Sequence, residues 1–257
     1  MLTLRVMVVR KKAPTLELLF RDQKKRFESL GLDRDCPKVF NLVQHQGLNP
    51  EDPNLSEHYW LFGCLSESFT GVERVLEIGT EQGKFTSFLS DIFSDSTVIS
   101  IDLPLDSGMN ELYGRHDGKA YRAIQKLNVG GKANVSLCDL NSVALTGAGI
   151  SPFNLIWIDG DHSQPVVSID IINSIWLLAQ NGLIIVDDVI PRPPTRETPM
   201  QSIGALTTLT ALETSGVIST PLFVRKRLSP KNNRSSNTKW IAVARRAERG
   251  LDLACMK

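Results

Sequence analysis

From residue 72 onward, short apolar runs alternate with segments long enough to form helices. The apolar runs are VERVLEI (72–78), TVISID (97–102), ANVSL (133–137), FNLIWID (153–159) and GLIIVDD (182–188). The segments that we expect to be helical are 84–93, about 118–128, and 165–180. Runs that are apolar on both faces and alternate with helices are typical of buried parallel strands joined by crossover helices. The pattern predicts a doubly wound α/β domain.

Two more strand-like runs follow towards the C-terminus. They are ISTPLFVRKRL (218–228) and TKWIAVARRA (238–247), and the polar segment SPKNNRSSN (229–237) joins them. Two strands linked in this way are antiparallel neighbours, so we expect the sheet to end in a hairpin. The sequence therefore predicts seven strands, mostly parallel, with an antiparallel strand at the C-terminal end.

Residues 1 to about 70 are polar and show helical spacing of their apolar residues. In TLELLFRDQKKRFESLGL (15–32), Leu and Phe recur among charges, and Ser56 is a candidate N-cap for a second helix with Tyr59 and Trp60. We divide the chain into an N-terminal helical extension (1–55) and an α/β domain (56–257). The aromatic residues can form core, cover a cofactor, or contact another copy in a homo-oligomer, and the pattern does not decide between these roles.

Composition narrows the class of partner. A net charge of +1 argues against an electrostatic nucleic-acid binder. Four cysteines without a CxxC pair do not indicate a zinc site or a disulfide framework. In MLTLRVMVVRKK the charges follow the apolar run, the reverse of a secretory signal, and the run is shorter than the ~20 residues that span a bilayer. We expect a cytoplasmic protein with a small-molecule substrate and no membrane contact.

The segment VLEIGTEQGKFTSF (75–88) superficially resembles a phosphate-binding loop. Such a loop has four residues between its glycines and a Ser or Thr after the lysine, because a hydroxyl must reach magnesium. Here three residues separate Gly79 from Gly83, and Phe85 follows Lys84. The dinucleotide fingerprint also fails, since Glu81 stands where a glycine must allow the pyrophosphate to approach. The segment does not predict a phosphate site.

What this segment provides is Glu77 at the end of a strand and a turn with Gly79 and Gly83. An acidic, glycine-lined turn suits a compact ligand with positive charge. VLEIGTEQG resembles motif I of the Rossmann-like class I methyltransferases that use S-adenosylmethionine, a sulfonium with an ammonium group. The resemblance implies that Glu77, Gly79 and Gly83 contact this cofactor. The alternative is a glycine turn that only packs a helix against a strand.

Two more acidic residues fit this resemblance. Asp102 ends the second apolar run about 20 residues after the glycines, where a carboxylate can accept hydrogen bonds from both ribose hydroxyls. Its alternative role is a cap or a solvated charge. Asp139, in SLCDLNS, follows the third run, where the resemblance implies a contact with the adenine amino group.

A cluster of carboxylates is expected at the ends of the fourth and fifth strands. LIWIDGDH places Asp159, Asp161 and His162 after the fourth run, and LIIVDDV places Asp187 and Asp188 after the fifth. Adjacent parallel strands deliver their carboxyl ends to the same edge of the sheet. Carboxylates brought together repel each other and have raised pKa values. A hard divalent cation such as Mg²⁺ relieves this repulsion.

The cluster resembles that of metal-dependent O-methyltransferases of the catechol and caffeoyl-coenzyme A type, and more closely a bacterial methyltransferase group with the signature IDGDH…VDD. The resemblance implies Asp159, Asp187 and Asp188 as metal ligands, with Asp159 also beside the cofactor. Catechol enzymes have Asn at the last position, so Asp188 departs from them. They have a lysine as base where this chain has His162. His162 can instead be a metal ligand or structural, and Asp161 can be a ligand or a helix N-cap.

The resemblance spans about residues 55 to 246 and implies a reaction. A divalent cation, Mg²⁺ by expectation, lowers the pKa of a substrate hydroxyl, His162 removes the proton, and the oxyanion attacks the methyl group of S-adenosylmethionine. The acceptor would be a sugar, a phenol or a secondary metabolite. The alternatives are a metal-dependent hydroxylase of the cephalosporin hydroxylase kind, or a cofactor-binding protein without turnover. IPRPPTRETP (190–199) is a candidate lid in which Arg192 or Arg196 meets an anionic substrate, or else a solvated connector.

Overall fold

The computed structural model describes residues 14–148, 152–194, 198, 202–233 and 238–247. Its strands are β1 Arg74–Ile78, β2 Thr97–Asp102, β3 Val135–Asp139, β4 Phe153–Ile158, β5 Leu178–Val189, β6 Leu222–Arg225 and β7 Trp240–Arg245. Its α-helices are α1 Leu16–Ser29, α2 Pro37–His45, α3 His58–Ser68, α4 Lys84–Ile92, α5 Gly118–Val129, α6 Val166–Leu177 and α7 Gly204–Thr214. Short 3-10 helices span Gly108–Tyr113, Ser142–Ala148 and Pro230–Asn233. The predicted alternation of strands and helices is confirmed.

The strands form one seven-stranded sheet in the order β3-β2-β1-β4-β5-β7-β6. Strands β1 to β5 pair in parallel, whereas β7 is antiparallel to both β5 and β6. This is the Rossmann-like methyltransferase fold that the sequence predicts. The carboxyl ends of β4, β5 and β6 and the amino end of β7 therefore meet at one edge of the sheet, which is where the predicted acidic residues lie.

Two predicted boundaries are wrong in detail. Helix α6 ends at Leu177 rather than near residue 180, because Leu178 pairs with Phe153 of β4 and begins β5. Ser56 is not the N-cap of α3; Glu57 occupies that position without a side-chain capping bond, and the Ser56 hydroxyl hydrogen-bonds to Nδ1 of His58 at 2.9 Å. The first difference comes from a tertiary partner, Phe153, and the second from a local hydrogen bond between Ser56 and His58.

Helices α1, α2 and α3 pack on one face of the sheet and share its core. Phe27 of α1 and Val43 of α2 are fully buried in the same hydrophobic cluster as Phe62 of α3 and Trp157 of β4. The aromatic residues of α3 are thus mainly core, one of the predicted roles. The division at residues 55 and 56 stays a prediction, although the extension and the sheet bury apolar surface together.

In the part of the chain that the structure describes, no helix combines the length and the apolar character needed to cross a membrane. The cytoplasmic location stays a prediction.

Candidate active site

The turn after β1 packs directly against the turn after β4. Gly79 has φ +101°, and a Cβ at this position would lie 2.3 Å from the carbonyl oxygen of Asp159. The amide of Asp159 donates to the carbonyl of Ile78 at 2.9 Å, which fixes the two turns to each other. Because only glycine fits here, the motif turn and the first acidic residue of the cluster are held side by side.

Glu77 lies behind this turn. Its side chain is 1% exposed and accepts hydrogen bonds from the hydroxyls of Ser100 and Thr86, both at 2.5 Å. Burial raises the pKa of Glu77 to about 8, although these hydrogen bonds lower it. Glu77 is not one of the described residues that line the cavity. Its expected contact with the cofactor stays a prediction, and its position behind the turn does not favour that contact.

Asp102 is held at the mouth of the cavity by three donors. Its carboxylate accepts hydrogen bonds from the Leu103 amide at 2.9 Å, Gln125 Nε2 at 2.8 Å and Arg115 Nη1 at 2.6 Å. Arg115 also lines the cavity and was not predicted from the sequence. A ribose that binds here has to share Asp102 with Arg115.

Asp139 does not line the cavity in the part of the chain that the structure describes. It forms an ion pair with Arg122, and its side chain is 44% exposed. The following residues, Leu140 to Val143, line the cavity in its place. The predicted adenine contact of Asp139 stays a prediction, and its near neighbours Asn141 and Ser142 are better placed.

One cavity of about 320 Å³ connects these features. Its lining includes Gly79, Glu81 and Asp102 together with Asp159, His162 and Asp188. A volume of this size is at the lower end of the range for small-molecule sites. Arg192, in the predicted lid, is exposed, and Arg196 lies outside the described residues.

The acidic residues converge as predicted. Asp187 is fully buried, Asp188 is 4% exposed and adopts φ +53°, and both lie at the end of β5. Nε2 of His162 is 3.4 Å from Oδ1 of Asp159 and 3.8 Å from Oδ2 of Asp188. Asp159, His162 and Asp187 each present a donor atom, and these atoms lie within 4.8 Å of one another. The cluster can accept a cation.

Two lysines that the sequence did not predict lie in the cluster. Lys226 forms ion pairs with Asp187 and with Oδ1 of Asp188, the latter at 2.5 Å, and Lys239 pairs with Oδ2 of Asp188. Lys226 directly follows β6 and Lys239 directly precedes β7. The sequence contained one indication of these contacts. The predicted hairpin between β6 and β7 brings both lysines to the edge of the sheet where the acids lie.

The pKa values follow these contacts. Burial and the neighbouring charge of Asp187 raise the pKa of Asp159 to about 7. Burial alone would raise the pKa of Asp187, but Lys226 and other neighbours hold it well below its usual range. Burial opposes the charged form of His162, yet the hydrogen bond and charge of Asp159, with the charges of Asp188 and Asp187, raise its pKa. The two carboxyl groups therefore differ in how readily they ionise: Asp187 ionises more readily than an ordinary aspartate, and Asp159 less readily.

Asp161 is neither an N-cap nor a member of the candidate cation site. Its Oδ1 accepts hydrogen bonds from the amide and hydroxyl of Ser163 at 2.7 and 2.6 Å, and Oδ2 accepts one from the hydroxyl of Tyr113. Helix α6 begins five residues later with Pro165 at its N-cap position. The N-cap alternative is wrong, because Asp161 closes a local turn and ties it to the segment after β2.

Helix α3 also reaches the cluster through His58. This residue is enclosed by aromatic rings, with centroid distances of 4.4 Å to Tyr59 and Phe85 and 5.6 Å to Trp157. Burial lowers the pKa of His58 to about 3, although the charge of Asp187 raises it, so the ring is neutral near pH 7. It forms an apolar, uncharged wall beside the acids.

Comparison with known families decides the class of this domain. Residues 76–189, which contain the motif turn and the whole acidic cluster, match the family model described as a methyltransferase domain. The match to this model concerns the segment alone, which is less than half of the 257 residues. The predicted enzyme class, an S-adenosylmethionine-dependent methyltransferase, is thereby confirmed. A comparison with curated proteins gave no match.

Solved structures support the fold of this methyltransferase. Cofactor-bound Rv0187 from MTB is 18% identical with a TM-score of 0.56, covering 90% of this chain and 97% of its own. The O-methyltransferase TomG from Streptomyces achromogenes, involved in tomaymycin synthesis and solved with SAM, is 16% identical with a TM-score of 0.53 over 89% and 98%. The N-methyltransferase NodS from Bradyrhizobium japonicum WM9 is 18% identical with a TM-score of 0.53 over 75% and 96%. At these identities the likeness concerns the fold.

Proposed function

We propose that this methyltransferase transfers a methyl group from S-adenosylmethionine to a hydroxyl group of a small molecule. The observation that carries the proposal is the single cavity that joins the motif turn at Gly79 to the cluster around Asp159 and His162. A hydroxyl needs to lose a proton before it attacks, and this end of the cavity offers proton acceptors. The O-methyltransferase activity of TomG supports the proposal, whereas NodS shows that the same fold also occurs in an N-methyltransferase.

The cavity fits the cofactor. The turn at Gly79 lines the cavity, and so does Asp102, whose carboxylate can accept hydrogen bonds from a ribose. S-adenosylmethionine supplies an electrophilic methyl group on a positively charged sulfur. The chain itself contributes the acidic side chains of Glu81, Asp102 and Asp159, which line the cavity and suit a cationic ligand.

The donor atoms of the cluster also fit a divalent cation. The group of Asp159, His162 and Asp187, whose donor atoms lie within 4.8 Å of one another, includes two carboxylates, and carboxylate oxygens are ligands that Mg²⁺ or Mn²⁺ accepts. We keep Asp159, Asp187 and Asp188 as the proposed metal ligands. When bound, the cation would lower the pKa of a neighbouring acceptor hydroxyl.

His162 is the proposed base. Its side chain is 3% exposed and lines the cavity, and its Nε2 faces Asp159 and Asp188. These carboxylates stabilise the imidazolium that forms when Nε2 accepts a proton. His58, neutral and enclosed by aromatic rings, adds no positive charge near Asp187.

The proposal is tested by measuring S-adenosylhomocysteine formation with matched panels of small alcohols, phenols, sugars and amines. We expect turnover with a hydroxyl acceptor, and a loss of about 100-fold in kcat for His162→Gln if its imidazole is the base. Asp91→Asn, a surface substitution far from the cavity, is the control and should not change the rate. Methylation of amines alone would contradict the proposal.

A further inference from the structure

Two of the three carboxylates in the cluster are already paired with ammonium groups of the chain. Three carboxylates, those of Asp159, Asp187 and Asp188, face two ammonium groups, those of Lys226 and Lys239. The Lys226 side chain is only 12% exposed, so this is a buried ion cluster rather than a surface contact. A buried ammonium group remains charged only when acids surround it in this way.

Lys226 is fixed by its backbone as well as by its side chain. Its amide donates to the carbonyl of Lys239 at 3.0 Å, and its carbonyl accepts a hydrogen bond from the amide of Glu57 at 2.8 Å. These bonds join the end of β6 to the start of β7 and to the first turn of α3. The ammonium group is therefore presented to the acids by the fold rather than by a mobile surface side chain.

Lys226 uses the same side chains as the candidate cation site. Asp187 belongs to the group that can hold a metal, and its Oδ2 is the atom that pairs with Lys226. Asp188, a proposed ligand, gives Oδ1 to Lys226 and Oδ2 to Lys239. A divalent ion that binds these oxygens must take them from an ammonium group.

We propose that Lys226 is a tethered cation that competes with a divalent metal for the carboxylates of Asp187 and Asp188. Metal binding then requires that the Lys226 side chain moves away from these acids, and the site is held by the lysine when metal is scarce. The proposal concerns the regulation of the site. It rests on the proposed function only for the role that a bound metal would have in the reaction. Its test uses neither S-adenosylmethionine nor an acceptor, so its failure is distinct from a failure of the proposed reaction.

The experiment is a titration of the full-length protein with Mn²⁺ alone, with free Mn²⁺ followed by electron paramagnetic resonance. We expect Lys226→Met to bind Mn²⁺ at least about tenfold more tightly than the unsubstituted chain, because it removes a positive charge a few ångströms from the site. Lys226→Gln, which retains hydrogen-bonding capacity, should show the same direction. Lys239→Met should show a smaller gain, because its partner Asp188 lies outside the group formed by Asp159, His162 and Asp187. Lys132→Met, whose partner is Asp91 on the surface, should show none.

Thermal unfolding gives a second measurement on the same proteins. Without metal, Lys226→Met leaves two buried carboxylates without their main counter-ion and should lower the Tm, whereas Mn²⁺ should raise the Tm of this variant more than that of the unsubstituted chain. Equal Mn²⁺ affinity in the unsubstituted chain and in the folded Lys226→Gln variant would overturn the proposal. Weaker binding in that variant, or no binding in any of the proteins at millimolar Mn²⁺, would also overturn it.

Discussion

Gly79 joins the two halves of the candidate site at the scale of a single residue. Its φ of +101° and the 2.3 Å between a hypothetical Cβ and the Asp159 carbonyl oxygen make any side chain costly. We predict that Gly79→Ala lowers the free energy of unfolding by about 2 kcal/mol or more through this collision, in addition to the cost of placing an alanine at a positive φ. Urea denaturation measures this difference.

Gly71 provides the matched control. It has φ +75°, yet a Cβ there would meet nothing within 4 Å. Gly71→Ala therefore reports the backbone cost without the collision. Equal losses in the two variants would show that the turn after β1 does not press against Asp159.

Glu77 predicts a pH dependence of stability. Its pKa is raised by burial to about 8 in the folded state, from an ordinary value of 4.5. The folded protein then binds more protons than the unfolded chain between these values, so this residue makes stability fall as the pH rises from about 4.5 to 8. The effect is a few kcal/mol at most, on the order of 1.4 per pKa unit.

We predict that Glu77→Gln removes this part of the pH dependence. The variant should gain stability relative to the unsubstituted chain as the pH is raised from 5 to 8, as measured by urea denaturation at both values. A difference between the two proteins that does not change with pH would show that Glu77 is ionised throughout.

The individual residues of the acidic site differ in how well the sequence predicts their positions. Asp159, Asp187 and Asp188 could be brought together from sequence, because each lies at the carboxyl end of a strand whose direction the crossover pattern fixes. Lys226 could not, since a lysine after a strand is usually solvated and its partner depends on which strand β7 pairs with. Asp139 shows the opposite limit, because its position after β3 was right but its side chain turns to Arg122.

At the scale of elements, Glu57 connects the N-terminal helices to the edge of the sheet that carries Asp187 and Asp188. Its carboxylate accepts two hydrogen bonds from Arg34 at 2.9 and 3.0 Å and one from Gln23 of α1 at 3.1 Å. Arg34 and Glu57 are both buried, and the Glu57 amide bonds the carbonyl of Lys226. The network therefore sets the position of α3 against β6.

We predict that Glu57→Ala lowers the free energy of unfolding by about 3–5 kcal/mol, because it leaves the buried Arg34 guanidinium without a partner. The double variant Glu57→Leu with Arg34→Met should lose less, since neither charge then remains buried. Lys24→Ala, which breaks the exposed pair with Asp35, should cost at most about 1 kcal/mol. A loss from Glu57→Ala no larger than that from Lys24→Ala would contradict this role.

The whole molecule follows the sequence pattern more closely than its site does. The doubly wound, mostly parallel sheet was predictable because alternating strands and helices with right-handed crossovers leave few arrangements. The role of residues 14–55 was not, because helical spacing identifies an apolar face but not the surface that it covers. The structure places that face on the sheet, with Phe27 and Val43 buried beside Trp157.

Binding of S-adenosylmethionine in the cavity lined by Gly79, Asp102 and Asp159 is the central claim. Isothermal titration calorimetry of the full-length protein with S-adenosylmethionine tests this directly. We predict saturable binding with one equivalent per chain, weakened at least about tenfold by Asp102→Ala, which removes the carboxylate expected to hold the ribose. A folded protein that gives no saturable heat up to millimolar S-adenosylmethionine would contradict the account.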